Sequence, residues 1–139
     1  MGSLNKGIVE VSAAVCVRDG KVFAAQRGGT GELAYRWEFP GGKLETGESP
    51  EQALTREISE ELNARIEILE PIMTVEHRYD TFSIRLHGFL CGLLPDEKFI
   101  ISEHVDGRWL SADELSSVDW SDADLSLVEW VGRYLHGLS

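Results

Sequence analysis

Four glutamates and an arginine follow a glycine pair at close spacing: Gly41-Gly42, then Glu48, then Arg56-Glu57, then Glu60-Glu61. On a helix, at ~100° per residue, Glu57, Glu60 and Glu61 fall within an arc of roughly 100°. A solvated acidic stripe would lie opposite the apolar side, but this arc overlaps it, because Ala53 points into the same sector. Carboxylates aimed at the margin of a core are costly unless paired. Cations must join them, and hard oxygen ligands of this kind suit Mg²⁺ or Mn²⁺. Arg56 can neutralise and orient one carboxylate through its forked donors. The glycines let the backbone approach a ligand and turn a carbonyl oxygen toward a metal, although a plain turn accounts for them about as well. The chemistry open to such a set is metal-assisted handling of a small anion.

These residues need a helix behind a tight loop, and the sequence supplies one. Ser49-Pro50-Glu51-Gln52 reads as a helix start, with Ser49 as N-cap, Pro50 in the first position and Gln52 closing a capping box. Ala53, Leu54, Ile58 and Leu62 form its apolar stripe, and Asn63 can adopt the left-handed stop. Upstream, Val9 to Val17 alternates as a strand, Asp19-Gly20 signals a hairpin and Val22 to Gln26 returns. Gly28 to Gly31 is a loop, and Tyr35 to Phe39 is a short extended piece ended by Pro40. Downstream, Ile66 to Val75 and Phe82 to Leu94 read as long strands and Gly107 to Leu110 as a short one. Asp122 to Leu135 closes the chain as an amphipathic helix using Leu125, Leu127, Val128, Val131 and Leu135. A helix inserted among strands predicts an α/β fold, a mixed sheet between helices.

Composition narrows the partners. The 139 residues fit one domain, 1–139, with 1–7 a flexible start or an expression scar. Thirteen basic against 24 acidic residues give a net charge of −11, which disfavours a nucleic-acid polymer. No apolar run approaches the ~20 residues of a membrane span, and no leader pattern is evident, so a cytoplasmic protein is expected. Cys16 and Cys91 lie in apolar runs and read as small core residues in a reducing compartment.

Gly42-x5-Glu48-x7-Arg56-Glu57-Ile58-x-Glu60-Glu61 resembles the Nudix box, G-x5-E-x7-R-E-U-x-E-E-x-G-U with U a bulky aliphatic. Chance agreement up to Glu61 is on the order of 10⁻⁸ per starting point. The box covers 23 of the 139 positions. Asn63 stands in place of its glycine and Ala64 in place of its aliphatic, changes expected to cost a little geometry and no metal ligation. Trp37-Glu38-Phe39-Pro40-Gly41-Gly42-Lys43 is similar to the entry of MutT-like members.

The resemblance implies a Nudix α/β/α sandwich and a hydrolase that cleaves a nucleoside diphosphate linked to another group. It implies a divalent-metal site from Glu57, Glu60, Glu61 and the Gly41 carbonyl, with Glu57 as general base. Glu48 and Arg56 would hold loop and helix in register. Glu103 stands where MutT-like enzymes place a further metal-binding or water-positioning acid; the alternative is a surface glutamate. Arg27 is similar to a phosphate-contacting arginine, or else forms a surface ion pair, and Lys43 can act likewise. Tyr79 and Phe82, or Phe39, would stack on a base unless they serve the core. Asp124 falls where MutT-like members put a base-reading residue; as an acceptor-only group when ionised it matches the cytosine amino group, and otherwise it caps a helix. His77, His87, His104 and His136 have no metal-ligand spacing and are given no role.

The expected reaction is (d)NTP plus water to (d)NMP plus pyrophosphate with Mg²⁺ or Mn²⁺, favouring CTP, dCTP or modified dCTP. The competing readings are 8-oxo-dGTP sanitation and a nucleotide-binding module without turnover. The expected partner is a small nucleotide, with a homodimer open.

Overall fold

The computed structural model describes residues 7–137. The expected flexible start, 1–7, lies outside these up to residue 6, while the Gly7 carbonyl accepts the Ser83 N–H.

The first strand, β1 (Ile8–Arg18), is the hub of a seven-stranded sheet. It runs parallel to β6 (Ser83–Leu93) from Ile8↔Ser83 to Cys16↔Cys91. Its other edge is shared: the first half pairs with β4 (Gly41–Lys43), and the end turns back into β2 (Lys21–Gln26). The β2 strand carries β3 (Trp37–Glu38) and β7 (Asp106–Leu110), and β5 (Ile66–Arg78) folds antiparallel onto β6.

Alternation along β1 gives the sheet two buried faces. Ala14 and Cys16 face α1 (Pro50–Leu62), whose Leu54, Ile58 and Leu62 are fully buried with Phe89 and Cys91. Ala13 and Val15 face α2 (Leu125–Gly137), which contributes Leu127, Val131 and Leu135. Each such side chain taken out of water is worth about 1.5–3 kcal/mol. Alanines at the centre of β1 and β2 leave both helices room to lie close. The result is the expected mixed sheet between helices, an α/β/α sandwich.

The ends of α1 are built as the sequence predicts. Ser49 Oγ accepts the Gln52 N–H at 3.1 Å, and Gln52 Oε1 accepts the Ser49 N–H at 2.9 Å. Asn63 takes φ 49°, ψ 44°, the left-handed stop. Ser12 Oγ donates to the Pro50 carbonyl at 2.6 Å, tying the first turn to β1.

Three local expectations change. Gly41–Lys43 is a paired strand instead of a loose loop, because the Ala14 N–H donates to the Pro40 carbonyl and draws the segment onto β1. The extended stretch near Tyr35–Phe39 shrinks to Trp37–Glu38, since Tyr35 turns at φ 62° to donate its N–H to the Gly28 carbonyl. The closing helix starts with a tight 3-10 turn, Asp122–Asp124, before α2, and this leaves Leu125 half exposed instead of buried.

Candidate active site

A cavity of about 670 Å³ opens beside the C-terminal half of α1, and Glu57, Glu61 and Glu103 line one part of it. Glu57 and Glu61 are one helical turn apart, so they share a face. Glu103 comes from a remote loop for a definite reason. The last carbonyls of a helix lack internal partners. Here the Ile100 N–H donates to the Leu62 carbonyl at 2.9 Å, and Ser102 Oγ donates to the Glu61 carbonyl at 2.7 Å. Capping α1 in this way lays the loop over the helix end and brings Glu103 against Glu61. The Val105 N–H then donates to the Gln26 carbonyl at 3.0 Å, fastening the far side of the loop to β2.

The gathered carboxylates repel one another. Burial first, then hydrogen bonding and repulsion from Glu57, then Glu103, push the Glu61 carboxyl up to about 9. Arg56 holds Glu48 in a two-pronged bridge of 2.7 and 2.9 Å, and it reaches Glu57 at 2.9 Å and the Lys43 carbonyl at 3.0 Å. That fork, with the Glu45 N–H donating to it, holds the Glu48 carboxyl down at about 2. Arg56 thus compensates Glu48 and Glu57, and among the described residues no cation pairs with Glu61. Glu60 stands apart. Its side chain is 60% exposed, its contact with Arg56 is 3.4 Å, and it does not line the cavity.

The glycine pair lies against this cluster. A Cβ on Gly42 would meet the Glu57 carboxyl carbon at 2.3 Å, and one on Gly41 would meet the Ser12 carbonyl oxygen at 1.9 Å. Gly41 is needed by the β1–β4 pairing and Gly42 by the seat of Glu57.

Among the described residues no three His, Cys, Asp or Glu side chains close into a ready-made metal cage. The donor set nevertheless fits a hard divalent cation. It is all oxygen, it converges on the cavity lining, and its negative charge adds to burial in raising the Glu61 carboxyl.

Another wall of the same cavity carries Asp124 with Phe39 and Tyr79. Asp124 does not cap a helix with its side chain; its Oδ2 accepts the Phe39 N–H at 2.9 Å across 85 residues. Burial pushes its carboxyl well above the usual range, and Glu38 adds to this. Tyr79 is buried, and its hydroxyl accepts the Ala123 N–H at 2.8 Å, so it buttresses the turn that carries Asp124. Phe39 is buried with its ring 4.7 Å from Trp120. Both aromatics line the cavity while serving the core.

Arg27 also lines the cavity, pairing with Glu38 at 3.1 Å with its side chain 43% exposed, and Lys43 borders it. Two groups given no role from the sequence also lie here. His104 Nε2 meets Glu38 Oε2 at 2.9 Å, and its Nδ1 is buried without a partner. Ser121 Oγ is likewise buried and unpartnered. In the sequence His104 is marked only by its neighbour Glu103, and Ser121 only by standing three residues before Asp124.

Comparison with known proteins agrees with this geometry. A NUDIX domain family model matches residues 12–130. A CTP pyrophosphohydrolase of Escherichia coli is 36% identical over 124 residues, covering 88% of this chain and 90% of that protein. A putative 8-oxo-dGTP diphosphatase 2 of Mycobacterium tuberculosis is also 36% identical, over 131 residues, covering 91% and 90%. The solution structure of a MutT protein, a Nudix-family hydrolase from methicillin-resistant Staphylococcus aureus, shares 35% identity at a TM-score of 0.75, covering 91% of this chain and 97% of that one. A MutT protein from Methanosarcina mazei, at 20% identity and a TM-score of 0.80, shows the same fold over 95% of this chain.

Proposed function

The chain belongs to the NUDIX family and is a nucleotide pyrophosphohydrolase acting on a phosphoric anhydride bond, and from that premise we propose that it cleaves nucleoside triphosphates to monophosphate and pyrophosphate with a preference for cytosine. The observation that carries the proposal is a single cavity lined both by a carboxylate cluster and by the buried carboxyl of Asp124.

Glu57, Glu61 and Glu103, with the Gly41 carbonyl, are the groups that would hold Mg²⁺ or Mn²⁺, and Glu60 would have to swing in from the rim to join them. When bound, such an ion supplies charge screening for the triphosphate and acidifies a water. Glu57 takes the proton from the attacking water, and Arg56 sets its angle through the 2.9 Å contact. Glu48 locks Arg56 in turn. Arg27 and Lys43 meet the phosphates. Water adds to phosphorus as the α–β anhydride bond breaks, and pyrophosphate leaves.

Asp124 supplies the base preference. Burial pushes the Asp124 carboxyl toward its protonated form, and in that form it offers a donor at one oxygen and, beside the Phe39 N–H, a spare lone pair at the other. That pair matches the adjacent N3 acceptor and N4 amino donor of cytosine. The ionised form considered from the sequence alone would offer acceptors only, meeting the cytosine amino group but not N3, and would suit equally the two adjacent donors of a guanine edge. The second reading, 8-oxo-dGTP cleavage, draws support from the Mycobacterium tuberculosis relative at the same identity.

The deciding experiment is a pyrophosphate-release screen over CTP, dCTP, 5-methyl-dCTP and 8-oxo-dGTP with Mg²⁺. Cytosine nucleotides should lead in kcat/KM. An 8-oxo-dGTP rate higher by an order of magnitude refutes the cytosine preference, and no release from any triphosphate refutes the reaction.

A further inference from the structure

Among the described residues only two buried side-chain polar atoms lack a hydrogen-bond partner, and the residues that own them, Ser121 and His104, both line the same cavity. A buried hydroxyl left unpaired is costly, so such atoms are rare and each asks for a reason. The usual structural duty of a serine in this position would be to cap the turn it begins. Ser121 does not do this: it precedes the Asp122–Asp124 turn, yet its side chain makes no capping bond. Its backbone is fully engaged, with its N–H donating to the Trp37 carbonyl at 2.8 Å and its carbonyl accepting the Asp124 N–H at 3.0 Å. Strand β3 and the Asp124 turn therefore hold the residue in place, while the hydroxyl, in a side chain with the residue only 2% exposed, contributes nothing to the fold.

We propose that Ser121 is a specificity-determining residue whose hydroxyl hydrogen-bonds the nucleobase beside Asp124. The inference rests on the base being read at the Asp124 wall. It adds a second contact point, able to donate or accept, next to the carboxyl that sits three residues on. A pyrimidine ring offers a carbonyl on the same edge as N3, so a hydroxyl there completes the set of polar contacts along that edge. His104 also borders the cavity, but its ring is held by Glu38 through Nε2 at 2.9 Å, whereas no hydrogen bond holds the Ser121 hydroxyl.

The test is Ser121→Ala measured in three ways. Truncating a hydroxyl that has no partner should leave the thermal midpoint of the ligand-free protein unchanged or slightly raised, whereas a structural hydroxyl would lower it. KM for CTP should rise about three- to ten-fold with kcat retained, the range of one net hydrogen bond. Binding of ribose 5-triphosphate, which has no base, should be unchanged. An unchanged KM for CTP overturns the assignment, as does an equal loss of affinity for the abasic triphosphate. If the wild-type protein prefers another nucleotide, that nucleotide replaces CTP. Ser121 is then judged on the same difference from the abasic compound, so the cytosine reading can fail while this one stands.

Discussion

The adjacent glycines offer a sharp contrast, because an added methyl group would strike different things. At Gly42 the Cβ would meet the Glu57 carboxyl carbon at 2.3 Å and its Oε2 at 2.4 Å, where ordinary contact begins at 3.4 Å. The obstacle is the end of a flexible side chain, so Gly42→Ala should fold, with Glu57 displaced by about 1 Å. Misplacement of that size in a catalytic group costs on the order of 10²-fold in rate. At Gly41 the Cβ would meet the Ser12 carbonyl oxygen at 1.9 Å and the Ala13 Cα at 3.0 Å. Backbone in the central strand cannot give way cheaply, so Gly41→Ala should lose several kcal/mol through the β1–β4 pairing. Thermal melts and steady-state pyrophosphate release on both variants separate the effects: Gly42→Ala keeps its midpoint within a few degrees and loses kcat, and Gly41→Ala loses stability first. A stable Gly42→Ala with wild-type kcat would refute the claim that the glycine seats Glu57 for catalysis.

Other consequences follow from the same geometry. Glu61→Gln removes a crowded carboxylate while keeping its shape, so the metal-free protein should melt at a higher temperature and lose both turnover and stabilisation by added Mg²⁺; a lower midpoint would count against mutual repulsion among Glu57, Glu61 and Glu103. Asp124 is held above its ordinary value in the fold, so it favours the folded state below the unfolded pKa of about 4. That contribution is lost as pH rises through the raised value, and urea melts of wild type against Asp124→Asn should show the difference shrinking with pH, with a growing difference sinking the reasoning. Tyr79→Phe strands the Ala123 N–H in the interior and should cost about 1–3 kcal/mol, with a raised KM as the Asp124 turn loosens; an unchanged melt would remove the buttress.

The site was readable where its parts are near in sequence. Glu48, Arg56, Glu57 and Glu61 act within one loop and one helix, and the Ser49 capping box and Asn63 stop declare that helix through backbone rules alone. Chain neighbours say less about Glu60, whose 60% exposure is set by rotamer and by the pull of Arg56. Glu103 was ambiguous because its position depends on carbonyls of α1 that no local pattern displays. Asp124 was open between cap and base reader, and the contact with Phe39 across 85 residues, which engages its side chain away from a helix end, has no local signal. Ser121 and His104 were silent, because an unpaired buried atom is defined by everything that fails to reach it. The pairing of Gly41–Lys43 with β1 was hidden for a similar reason: a short glycine strand has no alternation to read.

The left-handed Asn63 sets more than the end of α1. The strap that follows the sheet hangs from the carbonyls of Glu61 and Leu62, so helix length acts as a ruler for a residue forty positions away. One residue inserted in α1 ahead of Glu61 would swing those anchor points by about 100° and shift them about 1.5 Å along the axis. Glu103 would then arrive on the wrong side of the cleft even with every acidic side chain intact. The chain can exchange the customary glycine for asparagine at this stop, but it cannot change the count of residues leading to it.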